Sequence, residues 1–343
     1  MKKTILVTGG AGFIGSHVCV ELLLSGYKII VIDNLSNSQI SALYNVSKIV
    51  NIDLNIDEDI DAYFTFIKAD IRDKEPLEKI FSVHQIDAVI HFAGLKSVKE
   101  SVENPTEYYS NNVDGSINLF NVMEKFHCKT IIYSSSATVY GDFKEMPINE
   151  ESQLLPTNPY GKSKKIVEDF LSNLFNLDET WHVAILRYFN PIGAHKSGLI
   201  GEIPADIPNN LIPYIMQVAS GELKILNIFG NDYDTHDGTG VRDYIHVIDL
   251  AYGHIKALEV LVEQPQIITA NLGTGIGYSV LDVIKTFEKV LKQKIIFEIS
   301  DRRSGDVAKS VADPTFAKEV LDWEAVYNLE DMCHDSWEFK LKN

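Results

Sequence analysis

The sequence has little cysteine, no long apolar run and too little positive charge for a polyanionic partner. Three cysteines, Cys19, Cys128 and Cys333, stand far apart among 343 residues, with no Cys-x-x-Cys. An odd, sparse set excludes a disulfide framework and a structural zinc site, and no metal is expected. The three read as small buried apolar residues. No stretch of about 18 uninterrupted apolar residues occurs, so no membrane span is expected. The opening "MKKTILVTGGAGFIGSHVCVELLL" has the two lysines and apolar residues of a signal peptide. Gly9 and Gly10 break its first apolar stretch, and His17 and Glu21 its second, so a cytoplasmic chain is expected. Lysine and arginine number 31 against 48 acidic residues, a formal charge of -17, with no basic run. Nucleic acid and anionic membranes are therefore not expected partners. Part of the acidity is local: 51–61, "NIDLNIDEDID", reads as a solvated insertion between elements rather than a site.

What is present is a repeated alternation of strand and helix. Apolar β-rich runs lie at 4–8, 28–33, 63–70, 88–94, 130–136 and 182–190. Helical spacing fills the intervals, as at 16–26, 107–127 and 162–176. Strands apolar on both faces, with helices between them, predict an α/β fold: a Rossmann-type doubly wound parallel sheet. After about residue 190, loops rich in Gly, Pro, Asn and Asp alternate with short elements. The expected organisation is a nucleotide-binding domain over 1–189 and a smaller C-terminal α/β substrate-binding region over 190–343. Parts of 240–275 are expected to pack back on the first domain.

Gly9, Gly12 and Gly15 follow the first strand and open a helix, with Phe13 and Ile14 between them. Glycines there permit a tight turn and close approach of a pyrophosphate to the helix N-terminus. Asp33 ends the next strand, 24 residues after Gly9, at the offset of an acid that grips a ribose diol. The acid repels a 2′-phosphate, and the following "NLSNS", with Asn34, Asn37 and Ser38, supplies no arginine to hold one. NAD is expected rather than NADP. Asp70, Ile71, Gly94 and Lys96 either line the same crevice or merely end their strands.

Tyr160 and Lys164 lie one helical turn apart in "PYGKSK". An ordinary tyrosine loses its proton near pH ~10. A nearby ammonium would lower that value and make a base, so the pair is either catalytic or a surface Tyr beside a surface Lys. Ser134, Ser135 and Ser136 end a strand, where a hydroxyl can meet a substrate oxygen.

Together these motifs resemble the extended short-chain dehydrogenases/reductases, and more closely the UDP-glucose (UDP-galactose) 4-epimerase family. "VTGGAGFIGSH", "VIHFAGLKSV", "SSSATVYGD", "PYGKSK", "LRYFNPIGAH", "IPNNLIPYI", "IFGNDY" and "DGTGVRDYIHV" follow in that family's order, and "NLGTG" and "RRSGD" continue it. The resemblance covers nearly the whole chain. It implies that Tyr160 is the base, that Lys164 holds the nicotinamide ribose and lowers the tyrosine's pKa, and that Ser136 hydrogen-bonds the sugar. Phe92, Ala93, Asn111, Ser134 and Phe189 would complete the NAD pocket. Lys96, Thr138, Asn190, Asn210, Leu211, Phe229, Arg242, Tyr244, Arg303, Asp306 and Ser310 would meet the UDP-sugar. Arg242 and Arg303, beside Gly240 and Gly305, suit a diphosphate through bidentate hydrogen bonds. The implied reaction is interconversion of UDP-glucose and UDP-galactose through hydride transfer from C4 to bound NAD and back.

Two departures sharpen the expectation. Sugar-nucleotide 4,6-dehydratases carry Asp-Glu where this chain has Ala137 and Thr138, so elimination lacks its acid and base. Members restricted to glucose and galactose commonly carry Tyr where this chain has Ser310. A small residue there leaves room for a 2-acetamido group, so UDP-GlcNAc and UDP-GalNAc are expected substrates as well. A non-catalytic NAD sensor on the same fold would not need Ser136, Tyr160 and Lys164 together. The resemblance also implies a homodimer, through helices such as 107–127 and 162–176.

Overall fold

Strands that are apolar on both faces need cover on both faces, and the chain supplies it by alternating them with helices. A computed structural model describes residues 3–56, 61–203, 210–303 and 306–343. They form two compact units. The first comprises Met1–Gly141, Gln153–Arg187 and Ala251–Ala270, and the second Asp142–Ser152, Tyr188–Leu250 and Asn271–Asn343.

The first unit is built on an eight-stranded sheet. Its order is Gln266–Leu272, His182–Tyr188, Thr130–Ser136, Ala88–His91, Thr4–Thr8, Lys28–Asp33, Phe64–Lys68 and Leu54–Ile56. Neighbours from Thr130–Ser136 through Leu54–Ile56 run parallel. The chain starts at Thr4–Thr8, winds outward through Lys28–Asp33, then returns to the other side of Thr4–Thr8 at Ala88–His91. That reversal leaves a crevice at the strands' C-terminal ends, where such sheets bind ligands. Leu6, Ile30, Val89, Ile131 and Ile185 bury their side chains in one core, with Phe120 and Trp181 packed from outside the sheet.

The second unit centres on Val241–His246. It pairs antiparallel with Gly277–Ser279, and parallel with Lys309–Ser310 and Asn190–Ile192. A parallel pair, Leu226–Phe229 with Phe297–Ser300, stands apart. Ile215, Leu226, Val283, Phe287 and Met332 form this unit's own core.

Three expectations about elements change. The acidic segment 51–61 is not wholly an insertion: Leu54–Ile56 forms the edge strand against Phe64–Lys68, while 57–60 lie outside the described residues. Charge outweighs the short "LNI" in any composition reading, yet an edge strand tolerates polar neighbours. The helical run 107–127 is really Pro105–Tyr109, a wide π-helical turn over Ser110–Asp114, and Gly115–Lys125. The wide turn brings Asn111 and Asn112 into the interior. Strands 63–70, 88–94 and 182–190 each stop two or three residues earlier at their C-terminal ends, at Lys68, His91 and Tyr188.

Candidate active site

The glycine loop shows why glycine stands there. Gly9 has φ +69°, and a Cβ on it would press to 2.6 Å of the Ala93 nitrogen at the end of the neighbouring strand. Gly12 is the N-cap of helix Phe13–Leu24, and only the Gly9 oxygen, at 3.3 Å, would approach its Cβ. Phe13, Ile14 and Gly15 form the helix's first turn, whose amides point outward along the axis. This is a cradle for a pyrophosphate, and a side chain at Gly12 would fill it. Asp33 borders it: its carboxylate accepts the Ala11 amide at 3.1 Å and the Ser38 hydroxyl at 2.8 Å. The residues present therefore fit a dinucleotide.

Asn34 turns instead to Asp70, donating to its carboxylate at 2.9 Å. Hydrogen bonds from Arg72 hold the Asp70 carboxyl down to about 2. Ile71 is buried, and its carbonyl accepts from Asn118. Asn37 is exposed, as is Lys96. Past the end of strand Ala88–His91, the Phe92 ring lies 4.9 Å from that of His254. The Ala93 amide donates to Thr8 Oγ1 at 3.2 Å, and Gly94 faces Asn112 and the Lys164 ammonium.

Tyr160 and Lys164 lie on helix Pro159–Leu177, for reasons visible in its first turn. The Asn158 side chain caps it by accepting the Gly161 amide at 2.8 Å, and Pro159 starts it with a preset φ. Gly161 lets the helix approach the short turn Ala137–Tyr140: a Cβ there would meet the Thr138 carbonyl at 2.8 Å. Half-buried Tyr160 thereby reaches Ser136, whose hydroxyl hydrogen-bonds it and also accepts from the Thr138 amide and hydroxyl at 3.2 and 3.0 Å. Lys164 is 5 % exposed, and its ammonium donates to the Ser134 carbonyl at 2.7 Å. It stands 5.0 Å from the Tyr133 ring centroid and 5.9 Å from that of Tyr160.

The electrostatics correct one expectation. Burial raises the Tyr160 hydroxyl above its ordinary value, opposed by the Ser136 hydrogen bond. The net shift is upward because loss of water outweighs what favours the phenolate, and the Lys164 ammonium is directed at the Ser134 carbonyl. Burial also brings Lys164 down to about 8, with the Glu168 carboxylate opposing that fall.

The second unit brings together part of the residues expected at a UDP-sugar. Arg242 lies opposite Ser310, and Tyr244 opposite Asn190, in adjacent parallel registers. The Arg303 guanidinium lies 4.7 Å from the Phe229 ring centroid and donates to Asp306 at 3.0 Å. Asn210 precedes helix Leu211–Ala219, and its side chain donates to Glu202. Phe189 is buried, its amide on the Leu272 carbonyl. Gly305, and 207–209 of the asparagine segment, lie outside the described residues.

Several residues escaped the sequence reading. Asn112 accepts the Leu95 amide at 2.7 Å and donates to the Leu95 carbonyl and Ser163, tying the 92–96 segment to the tyrosine helix. His91, between Thr8 and Ser116 hydroxyls at 2.6 and 2.9 Å, is held neutral by burial, its pKa brought to about 3. Asp243 accepts from the Thr274 amide and hydroxyl and from the Gly275 and Ala312 amides, linking the Arg242 strand to the segment after Ser310. No local motif announces these. Glu168 is different: it continues the Tyr160–Lys164 spacing by one more turn.

A parallel sheet with a glycine-loop crevice, a strand-end serine and a tyrosine–lysine helix defines an extended short-chain dehydrogenase/reductase. A family model described as GDP-mannose 4,6-dehydratase matches residues 6–336. A UDP-glucose 4-epimerase of Bacillus subtilis is 54 % identical over 339 residues, 99 % of this chain and 97 % of that one. The solved structure of a Bifidobacterium longum UDP-glucose 4-epimerase, with NAD+ and UDP, superposes with TM-score 0.94 at 48 % identity, over 99 % of both chains. A UDP-Glc/GlcNAc 4-epimerase of Campylobacter jejuni matches with TM-score 0.84 at 33 % identity, over 99 % of this chain and 100 % of that one. The chain belongs to the UDP-glucose 4-epimerase family.

Proposed function

We propose that this chain is a UDP-hexose 4-epimerase, interconverting UDP-glucose and UDP-galactose. The observation that carries the reading is the convergence of Ser136, Tyr160 and Lys164 beside the glycine-loop crevice. The Gly9–Gly15 loop and Asp33 would hold NAD, which would supply positive charge and reversible two-electron oxidation at sugar C4. Ser136 hydrogen-bonds the sugar 4-oxygen and orients it toward Tyr160. Tyr160 takes the 4-hydroxyl proton as the ketone forms, and returns it once the hexose has turned its other face. Lys164 supplies the cation that a phenolate needs in a buried site. Arg242 and Arg303 hold the diphosphate while the hexose turns. Ala137 and Thr138 offer no acid–base pair for elimination, which disfavours the dehydratase chemistry of the matching family model.

Ser310 supports acceptance of the 2-acetamido sugars, since a hydroxymethyl group occupies far less volume than a phenol ring. Homodimerisation is part of the same reading. Val98, Val102 and Ile166 expose apolar side chains on helices Val98–Glu103 and Pro159–Leu177. Among the described residues no helix is long and apolar enough to cross a membrane, which supports a cytoplasmic enzyme.

The test is incubation of the pure protein with UDP-galactose. Conversion to UDP-glucose is expected, and Tyr160→Phe should slow it by about 10²-fold or more, as loss of a general base does. No conversion by a protein that still holds NAD would favour a sensor instead, and near-normal turnover by Tyr160→Phe would remove the tyrosine from the mechanism.

A further inference from the structure

Helix Pro159–Leu177 repeats a polar residue at the four-residue interval: half-buried Tyr160, then buried Lys164 and Glu168. These share one face. Glu168 is almost wholly buried, and so is the partner that meets it, Arg187 on strand His182–Tyr188, with side chains 4 and 7 % exposed. The guanidinium grips both carboxylate oxygens: Nε at 3.1 and 3.2 Å, and the terminal nitrogen at 2.7 Å. Its other nitrogen donates to the Tyr140 hydroxyl at 2.9 Å, and the guanidinium also lies 5.0 Å from that ring's centroid. The Ser135 hydroxyl makes a short bond to the same carboxylate. Ser135 stands between Ser134, whose carbonyl seats Lys164, and Ser136, which meets Tyr160.

The clamp thus ties the tyrosine helix to both strands at the level of the reacting groups. Buried charges are retained where they are paired, and each unpaired one is costly. Lys164 and Arg187 are two buried cations, and Glu168 is the anion between them. The groups facing Lys164 are Tyr160 and Glu168 on its own helix, Tyr133 and the Ser134 carbonyl on one strand, and His91 on another. Of these, Glu168 alone is an anion at neutral pH. Those facing Glu168 are Ser135, Arg187 and Lys164, with Tyr140 behind Arg187.

We propose that Glu168 is a positioning residue for the reaction: clamped by Arg187 and Ser135, it supplies the countercharge that lets Lys164 stand protonated against Ser134 in a buried place. The inference rests on the epimerase reading for its consequence, but the clamp can be read without turnover. An anion one turn from an ammonium favours the charged form, so its removal should let the proton leave at lower pH. The direction agrees with the opposing action of Glu168 on the buried lysine.

The experiment uses the NAD-bound protein with ¹³Cε-labelled lysine, and follows the Lys164 resonance and the pH profile of kcat on UDP-galactose. It compares wild type, Glu168→Gln and Glu168→Asp. In Glu168→Gln the titration and the alkaline limb of kcat should both move down by about one pH unit, a tenfold loss on that limb. KM should stay within about twofold. Glu168→Asp keeps the charge and should keep the limb within a few tenths of a unit. An unmoved titration in Glu168→Gln overturns the proposal, and so does an equal shift in Glu168→Asp, which would make the effect one of packing. If Glu168→Gln does not fold, Arg187→Gln leaves the Glu168 anion without its cation, and the Lys164 titration should then move up; an unmoved or lowered titration overturns the proposal. A wild type that titrates as expected but does not turn over would fail the epimerase reading and leave the clamp standing.

Discussion

At the scale of single residues, the protein separates holding a proton from moving one. Tyr160 sits where burial favours its neutral form, so it releases a proton only against a compensating cation. In the proposed mechanism Lys164 is that cation, and burial has brought it to about 8. Its charge fades as the pH rises through that value, so kcat should decline above about pH 8, which a pH–rate profile will show. Stability should run the other way. A folded-state pKa below the unfolded ~10.4 means that the unfolded chain binds the extra proton between them, so this group's contribution to folding rises with pH across that window. Urea midpoints at pH 8 and 10, compared with those of Lys164→Met, isolate the contribution. Ser310 sets a different limit, on size. Ser310→Tyr should cut the rate on UDP-GalNAc at least tenfold more than the rate on UDP-galactose, since a misfitting group in a filled pocket costs about 1–3 kcal/mol. Equal losses on both sugars would show that the side chain does not border the acetamido group.

At the scale of elements, three pieces of backbone do most of the positioning. The first is the loop between Thr4–Thr8 and helix Phe13–Leu24. Gly9→Ala combines a left-handed φ with a Cβ driven into the Ala93 backbone. It should destabilise the fold by about 1–3 kcal/mol and lower NAD occupancy. Thermal unfolding and absorbance of released nucleotide measure the two effects, and a fully NAD-loaded Gly9→Ala protein would contradict the cradle. The second is the start of helix Pro159–Leu177, where Asn158, Pro159 and Gly161 make "NPYGKSK" a helix cap as well as a reactive sequence. The third is the wide turn at Ser110–Asp114. Widening a helix by one residue rotates the turns after it, and here it buries two consecutive asparagines. The sequence showed Asn111 through a family pattern. It carried no signal for Asn112, because burial of both depends on a turn that helical periodicity does not encode.

At the scale of the whole molecule, the charge of -17 makes like copies repel one another at a distance. A dimer must therefore form through an apolar face. Ile166, 41 % exposed on the tyrosine helix, would belong to such a face in the proposed dimer. Light scattering should give twice the chain mass for the wild type, and Ile166→Glu should shift it toward the monomer. A wild-type monomer would set aside this part of the reading. The sequence by itself determined the α/β alternation, the glycine loop with Asp33, and the spacing of Tyr160 and Lys164, because each is carried by neighbours a few residues apart. Periodicities of two and 3.6 and the needs of a tight turn act at that range. Tertiary structure alone decided the rest. It set Lys164 on the Ser134 carbonyl and made burial the largest influence on the Tyr160 hydroxyl. It also joined Glu168 to Arg187 and Ser135, and made Asp243 the acceptor for three distant residues. The reason is physical: desolvation and long-range hydrogen bonds depend on which side chains the folded backbone encloses, and sequence separation carries no record of that enclosure.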